Sequence, residues 1–205
     1  MSKTVGIYIF DGAEELDFVG PYEVFTMSNE LADHLEEEEP RTDVVLISEK
    51  GGRTECAKGM TVMAHHSIAN APKLDVILIP GGKGTRKEVL KPQVLDWVGK
   101  VARTCEWVTS VCTGAMVLTA AGPAAGKRVT THWSFIETLE EREEAAEVLS
   151  HVRYVRDGNV VTAAGVSAGI DMALWLLGQM YGPDHARMVQ RMMEYDPAPP
   201  YAAEV

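Results

Sequence analysis

Basic side chains are scarce in this 205-residue chain: 19 Lys and Arg stand against 30 Asp and Glu, a formal net charge of -11. A surface of that sign repels phosphate backbones and anionic lipid, and no run of basic residues offsets it, so neither nucleic acid nor a membrane is expected as a partner. Cysteine is sparse too. Cys56, Cys105 and Cys112 form an odd set with neither CxxC spacing nor an accompanying histidine cluster, which argues against a disulfide framework or a metal centre and fits a reduced, cytoplasmic protein. Apolar runs are short. None approaches the ~20 residues needed to cross a bilayer, and the first residues lead into a strand pattern without the basic and apolar sections of a signal peptide. Repeats and linker-like stretches are lacking as well. With 46% hydrophobic residues, ample for one core, residues 1–205 are expected to form a single domain.

What is present is an alternation of short apolar runs with helical patterns. Val5–Phe10, Asp43–Ser48, Leu74–Pro80 and Cys105–Val111 are continuous or nearly continuous apolar runs closed by Gly, Pro or Asp, the mark of strands buried on both faces. Thr54–Ala57 and Thr61–Ala64 alternate more weakly and read as a hairpin excursion. Residues 14–27 carry Leu16, Val19, Val24 and Met27 at helical spacing, with a break or restart expected at Gly20-Pro21. Helices are also predicted over Pro92–Ala102, Thr113–Ala121, Ser134–Leu149, Gly165–Gly178 and Asp184–Tyr195, and a tight reversal at Asp157-Gly158-Asn159. The acidic run Glu36–Glu39 reads as a solvated loop or helix end. The economical architecture is α/β: a mostly parallel central sheet with helices on both faces, a flavodoxin-like sandwich.

One stretch organises the rest. Val108–Leu118 joins a buried strand to a helix, with Cys112 on the junction, the arrangement of a nucleophile elbow. Unpaired backbone N–H groups at the helix start are expected to lower the thiol pKa. An isolated cysteine in an apolar run is commonly inert packing. Cys112 stands above that because Asp17, the Gly81-Gly82 loop and Cys112 all follow predicted strands, and ligands in parallel sheets bind beyond the carboxyl ends of strands. The adjacent His65-His66 pair on an extended strand faces opposite sides and is not read as a metal site. Cys105 is expected to be packed and Cys56 to lie exposed or at an interface. Met188, Met192 and Met193 at helical spacing are read as core or dimer contact.

The segments Leu16-Asp-Phe-Val-Gly-Pro-Tyr-Glu-Val24, Ile79-Pro-Gly-Gly-Lys-Gly84, Ser110-Val-Cys-Thr-Gly114, Gly126–Trp133, Arg156–Asn159, Gly165–Asp171 and Glu194–Tyr201, in this order, resemble the DJ-1/PfpI superfamily, which is related to class I glutamine amidotransferase domains. Within it the chain is most similar to the isonitrile hydratase branch. The resemblance implies that Cys112 is the nucleophile and that Asp17, where many relatives carry Glu, is the acid beside its sulfur. A carboxyl group forced against a thiolate can stay protonated, donate to sulfur and act as general acid or base. Thr113 replaces the His that follows the cysteine in protease-like relatives, which lowers the peptidase reading and suits a hydroxyl holding substrate or water. Gly81, Gly82 and Thr113 are expected to supply anion-stabilising N–H donors. His132 matches a histidine near the nucleophile in some relatives and stands as a possible accessory residue, while Asp171 is given a structural role. The function implied is cofactor-free and metal-free hydration of a small isonitrile by a homodimer. The alternatives are a glyoxalase- or deglycase-like hydrolase, and a ligand- or redox-sensing amidase-like domain of the kind found in AraC-type regulators. The acidic balance and the lack of a helix-turn-helix pattern after Pro199-Pro200 argue against a DNA-binding regulator.

Overall fold

The computed structural model describes residues 2–35 and 42–197. Glu36–Glu39 and the residues after Pro197 lie outside them, and with them the readings of that acidic run and of the tail. The apolar runs become β1 (Lys3–Tyr8), β2 (Thr42–Ser48), β6 (Val76–Ile79), β7 (Trp107–Val111) and β11 (Val160–Ala163), each buried over most of its length. Between them lie α1 (Glu15–His34), the hairpin β3 (Gly52–Glu55) and β4 (Thr61–Ala64), β5 (His66–Ser67), α2 (Thr85–Glu88), α3 (Pro92–Ala102) and α4 (Gly114–Ala120). After α4 come β8 (Arg128–Val129), a 3-10 turn at Trp133–Phe135, α5 (Ile136–Glu140), β9 (Glu147–Val148) and β10 (Tyr154–Asp157); α6 (Ala168–Tyr181) and α7 (Pro183–Met192) follow β11.

The seven-stranded sheet has the order β10-β11-β7-β6-β1-β2-β5 and is parallel except where β10 returns antiparallel to β11 through the Asp157-Gly158-Asn159 reversal. Register places Ile7 beside Leu78, Ile79 beside Ser110 and Val111 beside Ala163, so four strands finish close together at one edge. From β1 the chain steps outward to β2 and later to the other side of β1 at β6, a topological switch that opens a crevice at the strand ends. Helices α1, α6 and α7 pack together over one face, and α2, α3 and α4 form the other group. One core runs through both layers, centred on Ile7, Ile77, Ile79, Val108 and Leu118.

Two helix predictions are corrected. Gly20-Pro21 does not interrupt α1, which runs unbroken with Pro21 inside it. Both residues are buried against the start of α6, with Ile170 over Gly20 and Gly169 beside Pro21, so tertiary packing offsets the missing backbone hydrogen bond. The helix expected over Ser134–Leu149 ends at Glu140. There the chain turns at Glu143 (φ 52°), Glu144 accepts from Thr119 Oγ1 at 2.6 Å and pairs with Arg142, and Glu147–Val148 joins β8 as a strand. A row of like charges one turn apart disfavours a longer helix, whereas the ion pair and the strand pairing use the same residues favourably.

The β3–β4 excursion is tied to the β1–α1 turn. Gly12 N–H donates to Glu55 O at 2.8 Å, Ala57 N–H to Ala13 O at 2.8 Å, and Lys58 N–H to Glu15 Oε1 at 2.7 Å. This brings Ala57 and Lys58 to the carboxyl edge of the sheet. Among the described residues no helix is long and apolar enough to cross a membrane, and no group of three or more His, Cys, Asp and Glu is placed to hold a metal ion. His65 instead accepts the Leu46 N–H at its Nδ1, 2.9 Å away.

Candidate active site

Cys112 follows β7 with φ 55°, a left-handed conformation that a side chain occupies at a cost of roughly 1–3 kcal/mol. Three hydrogen bonds hold it there: its N–H reaches Ala164 O at 2.7 Å and Ala163 O at 3.1 Å, and Thr131 Oγ1 donates to its carbonyl at 2.8 Å. The sharp reversal lifts the sulfur to the start of α4, whose N-cap is Thr113. Gly81 from the end of β6 lies directly against the elbow. A Cβ at that position would stand 2.5 Å from Thr113 N and 2.7 Å from Cys112 Cβ, so only glycine allows the two loops to meet.

Asp17 comes from the first turn of α1 and has no exposed surface. Its Oδ2 accepts from Gly81 N–H at 2.8 Å, its Oδ1 from Val166 N–H at 3.1 Å, and it shares a hydrogen bond with the Cys112 thiol. Val166 was not singled out from the sequence. It is β-branched yet has φ 54°, and this strained turn is what aims its N–H at the carboxylate. The Thr113 hydroxyl accepts from Gly82 N–H at 3.0 Å, lies 3.1 Å from Thr85 Oγ1 and donates to Gly82 O at 3.3 Å, while the Thr113 N–H faces the Cys112 sulfur. Thr85, likewise unforeseen, also donates to Gly82 O at 2.8 Å.

The geometry corrects the expected oxyanion donors. Gly81 N–H is taken by Asp17 and Gly82 N–H by the Thr113 hydroxyl, so the loop's glycines orient the acid and the threonine. Of the donors named from the sequence, the Thr113 N–H is the one turned to the sulfur.

The electrostatics are corrected too. Burial and the neighbouring Asp17 carboxylate push the Cys112 thiol up to about 12, the opposite of the lowering expected from the helix start. Burial likewise raises the Asp17 carboxyl to about 6, although the hydrogen bonds from Gly81, Val166 and Cys112 oppose the rise. Both shifts disfavour a second negative charge on the buried pair, so the thiol keeps its proton beside the carboxyl group. A carboxylate so placed is in position to accept the thiol proton only as the sulfur bonds to an electrophile, which weakens the sulfur's hold on it.

Cys112 opens on a cavity of about 370 Å³ bordered by Thr113, Gly82, His132, Phe135 and Val166, at the small end of the range for ligand sites. His132 reaches this cavity, but its Nδ1 is engaged by Ser134 Oγ at 2.8 Å. Its ring rests on Gly165, where a Cβ would be 2.1 Å from His132 Cδ2. Glu14 and Lys58 form an ion pair at the cavity wall. Arg86 lies with its guanidinium 4.5 Å over the Phe135 ring and donates to Gly82 O at 3.0 Å. Asp171 is outside the cavity, bonded to Arg153 Nε at 2.6 Å and Tyr195 Oη at 2.8 Å. Cys105 is packed as expected, but Cys56 is only 5% exposed and not at the surface. Burial raises these thiols to about 12 and about 11 respectively.

The sequence profile of the DJ-1/PfpI family matches residues 3–179. The isonitrile hydratase of Pseudomonas putida is 36% identical over 201 residues, covering 98% of this chain and 82% of that protein. The HTH-type transcriptional regulator CdhR of Pseudomonas aeruginosa is 30% identical over 144 residues, 70% of this chain but 42% of the regulator. Among solved structures, a ThiJ/PfpI family protein from Pseudomonas syringae superposes with a TM-score of 0.86 at 26% identity, covering all of this chain and 80% of that one.

Proposed function

The chain belongs to the DJ-1/PfpI family, and from that premise we propose that it is an enzyme that adds water to a small isonitrile to give an N-substituted formamide, with Cys112 as nucleophile and Asp17 as its acid and base. The observation that carries this reading is the hydrogen-bonded Asp17–Cys112 pair next to Thr113, in a cavity of small-molecule size. The 36% identity to an isonitrile hydratase over 98% of the chain supports the choice of substrate.

In the proposed cycle the thiol proton passes to Asp17 as the sulfur bonds to the terminal isonitrile carbon. Asp17 then delivers that proton to the same carbon, leaving a thioformimidate, R–N=CH–S. Water adds to this carbon with Asp17 as base, and the nitrogen gains a proton. Breaking the C–S bond returns the hydroxyl proton through Asp17 to sulfur and releases R–NH–CHO. The sum is isonitrile plus water, without change of oxidation state, so the cycle calls for no cofactor. The Thr113 N–H, facing the sulfur, stabilises negative charge on it when the C–S bond breaks.

The test is to incubate the protein with alkyl and aryl isonitriles and follow formamide by NMR, with Cys112→Ala and Asp17→Asn in parallel. Formation of formamide by the native chain alone is expected, and its absence across the panel overturns the reading. Methylglyoxal in a parallel reaction examines the glyoxalase alternative. The similarity to CdhR favours a second reading, binding without turnover, and saturable binding of an isonitrile without product would establish it. The working form is proposed to be a cytoplasmic homodimer. Light scattering at the monomer mass of 22.4 kDa would overturn the dimer.

A further inference from the structure

The chain is strongly acidic and has no run of basic residues, yet the cavity over Cys112 is bordered by three cations from two separate segments. Lys58 comes from the β3–β4 excursion, and Lys83 and Arg86 from the loop and helix after β6. On the cavity wall Glu14 is already paired with Lys58, and Asp17, fully buried behind the wall, has its two oxygens turned onto the backbone N–H groups of Gly81 and Val166. Among the described residues neither Lys83 nor Arg86 makes an ion pair.

Arg86 is also held in place. One guanidinium nitrogen donates to Gly82 O at 3.0 Å and to Thr85 Oγ1 at 3.2 Å, and the group lies 4.5 Å over the Phe135 ring. Thr85 in turn lies beside Thr113, so the guanidinium is linked to the elbow through two hydroxyls. Fixing a long side chain in advance removes most of the entropic cost of using it on a ligand, and its remaining N–H groups keep the fork geometry that suits a carboxylate.

We infer that the preferred substrate carries a carboxylate on the group attached to the reacting carbon function, and that Arg86 binds it, with Lys83 adding attraction at the mouth. The inference rests on the proposed chemistry for the identity of the electrophile, but charge selection at Cys112 does not depend on isonitrile turnover. A neutral substrate would leave a preorganised cation facing an empty wall. A carboxylate would neutralise it at the cavity mouth, where Arg86 is solvent-exposed and the attraction is open to screening by salt.

Two measurements test this. In the first, Cys112 is alkylated with iodoacetate and with iodoacetamide, reagents of similar size that differ in charge, and the rate ratio is normalised to that of free glutathione. Peptide mass spectrometry reads Cys112 separately from Cys56 and Cys105. At low ionic strength the normalised ratio should favour iodoacetate by about fivefold or more, and should shrink at about 0.5 M salt. Arg86→Gln should remove most of that preference, Arg86→Lys should keep part of it, and Lys83→Gln should lower it by about twofold. Thermal melts of each variant exclude misfolding as the cause. A native ratio at or below that of glutathione, or an Arg86→Gln ratio equal to the native one, overturns the inference.

In the second, kcat/KM for an isonitrile bearing a carboxylate is compared with that for its methyl ester, and the acid should be favoured by a similar factor, lost in Arg86→Gln. Equal values for acid and ester overturn the inference and leave hydration standing. A charge preference in alkylation with no turnover of any isonitrile overturns the reaction and leaves the anion site standing.

Discussion

Two carboxyl groups are buried at the carboxyl edge of the sheet, and they are treated differently. Glu88, 2% exposed, receives the Tyr8 hydroxyl at 2.6 Å and the Lys91 ammonium at 2.8 Å, and Lys91 also reaches Glu49 at 2.7 Å. Asp17, fully buried, receives two backbone N–H groups and a thiol, all neutral. A cation beside a buried carboxylate satisfies its charge permanently and leaves it nothing to do but hold elements together, here β1, α2 and the end of β2. Neutral donors orient the carboxylate without cancelling the desolvation cost, so its pKa stays near 6 and the proton can move. Close by, burial and Glu88 drive the Tyr8 phenol far above its ordinary range, which removes it from proton exchange.

The largest expected effect that separates the two sites is on turnover. Cys112→Ala should lower formamide production by at least about 10³-fold and Asp17→Asn by about 10²- to 10⁴-fold, with melting curves showing both variants folded. Asp17→Asn activity near the native level would erase the distinction drawn between the two carboxyls.

The pH profile sharpens it next. In the proposed cycle the base form of Asp17 takes the thiol proton, so kcat/KM should fall about tenfold per unit as pH drops below about 6 and level off above it. The thiol, raised to about 12, adds no descending limb near neutrality. A profile flat from pH 5 to 8, as about tenfold steps would make plain, removes Asp17 from the proton path.

Cysteine labelling gives a smaller contrast. All three thiols are pushed up by burial, so their order depends on access and on a built-in base. Iodoacetamide near neutral pH should label Cys112 roughly tenfold faster than Cys56 or Cys105, and Asp17→Asn should narrow the gap. Labelling of Cys56 or Cys105 first would break the assignment of Cys112 as the activated thiol.

The smallest effect concerns Glu88. Glu88→Ala should cost about 1–3 kcal/mol of stability, discounted because Lys91 is one-third exposed, while kcat per folded molecule stays within about twofold. A drop in kcat comparable to that of Asp17→Asn would show the Glu88 site to be coupled to catalysis.

Much of this molecule was legible in its sequence. The continuous apolar runs located the central strands, and Cys112, Asp17, Gly81, Gly82 and Thr113 were all placed at the sheet edge where the structure gathers them. The pattern misled where tertiary contacts outweighed it: Gly20-Pro21 stays helical under α6, and Glu140 to Val148 leaves its helix to pair with β8. Val166, Thr85 and Arg86 went unnoticed because nothing local marks them. Their roles come from a strained turn, a hydroxyl relay and an aromatic face contributed by segments far away in the chain.

The sequence by itself placed Cys112 on a strand-to-helix junction and Asp17 just after the first strand, because hydrophobic period, turn residues and strand ends are local properties, and the family resemblance implied that the two act together. Only the tertiary structure decided which N–H groups were already used, which cations share the cavity, and that the thiol pKa moves up and not down. Desolvation and hydrogen-bond occupancy depend on what every neighbouring segment contributes, and those neighbours are assembled by the fold.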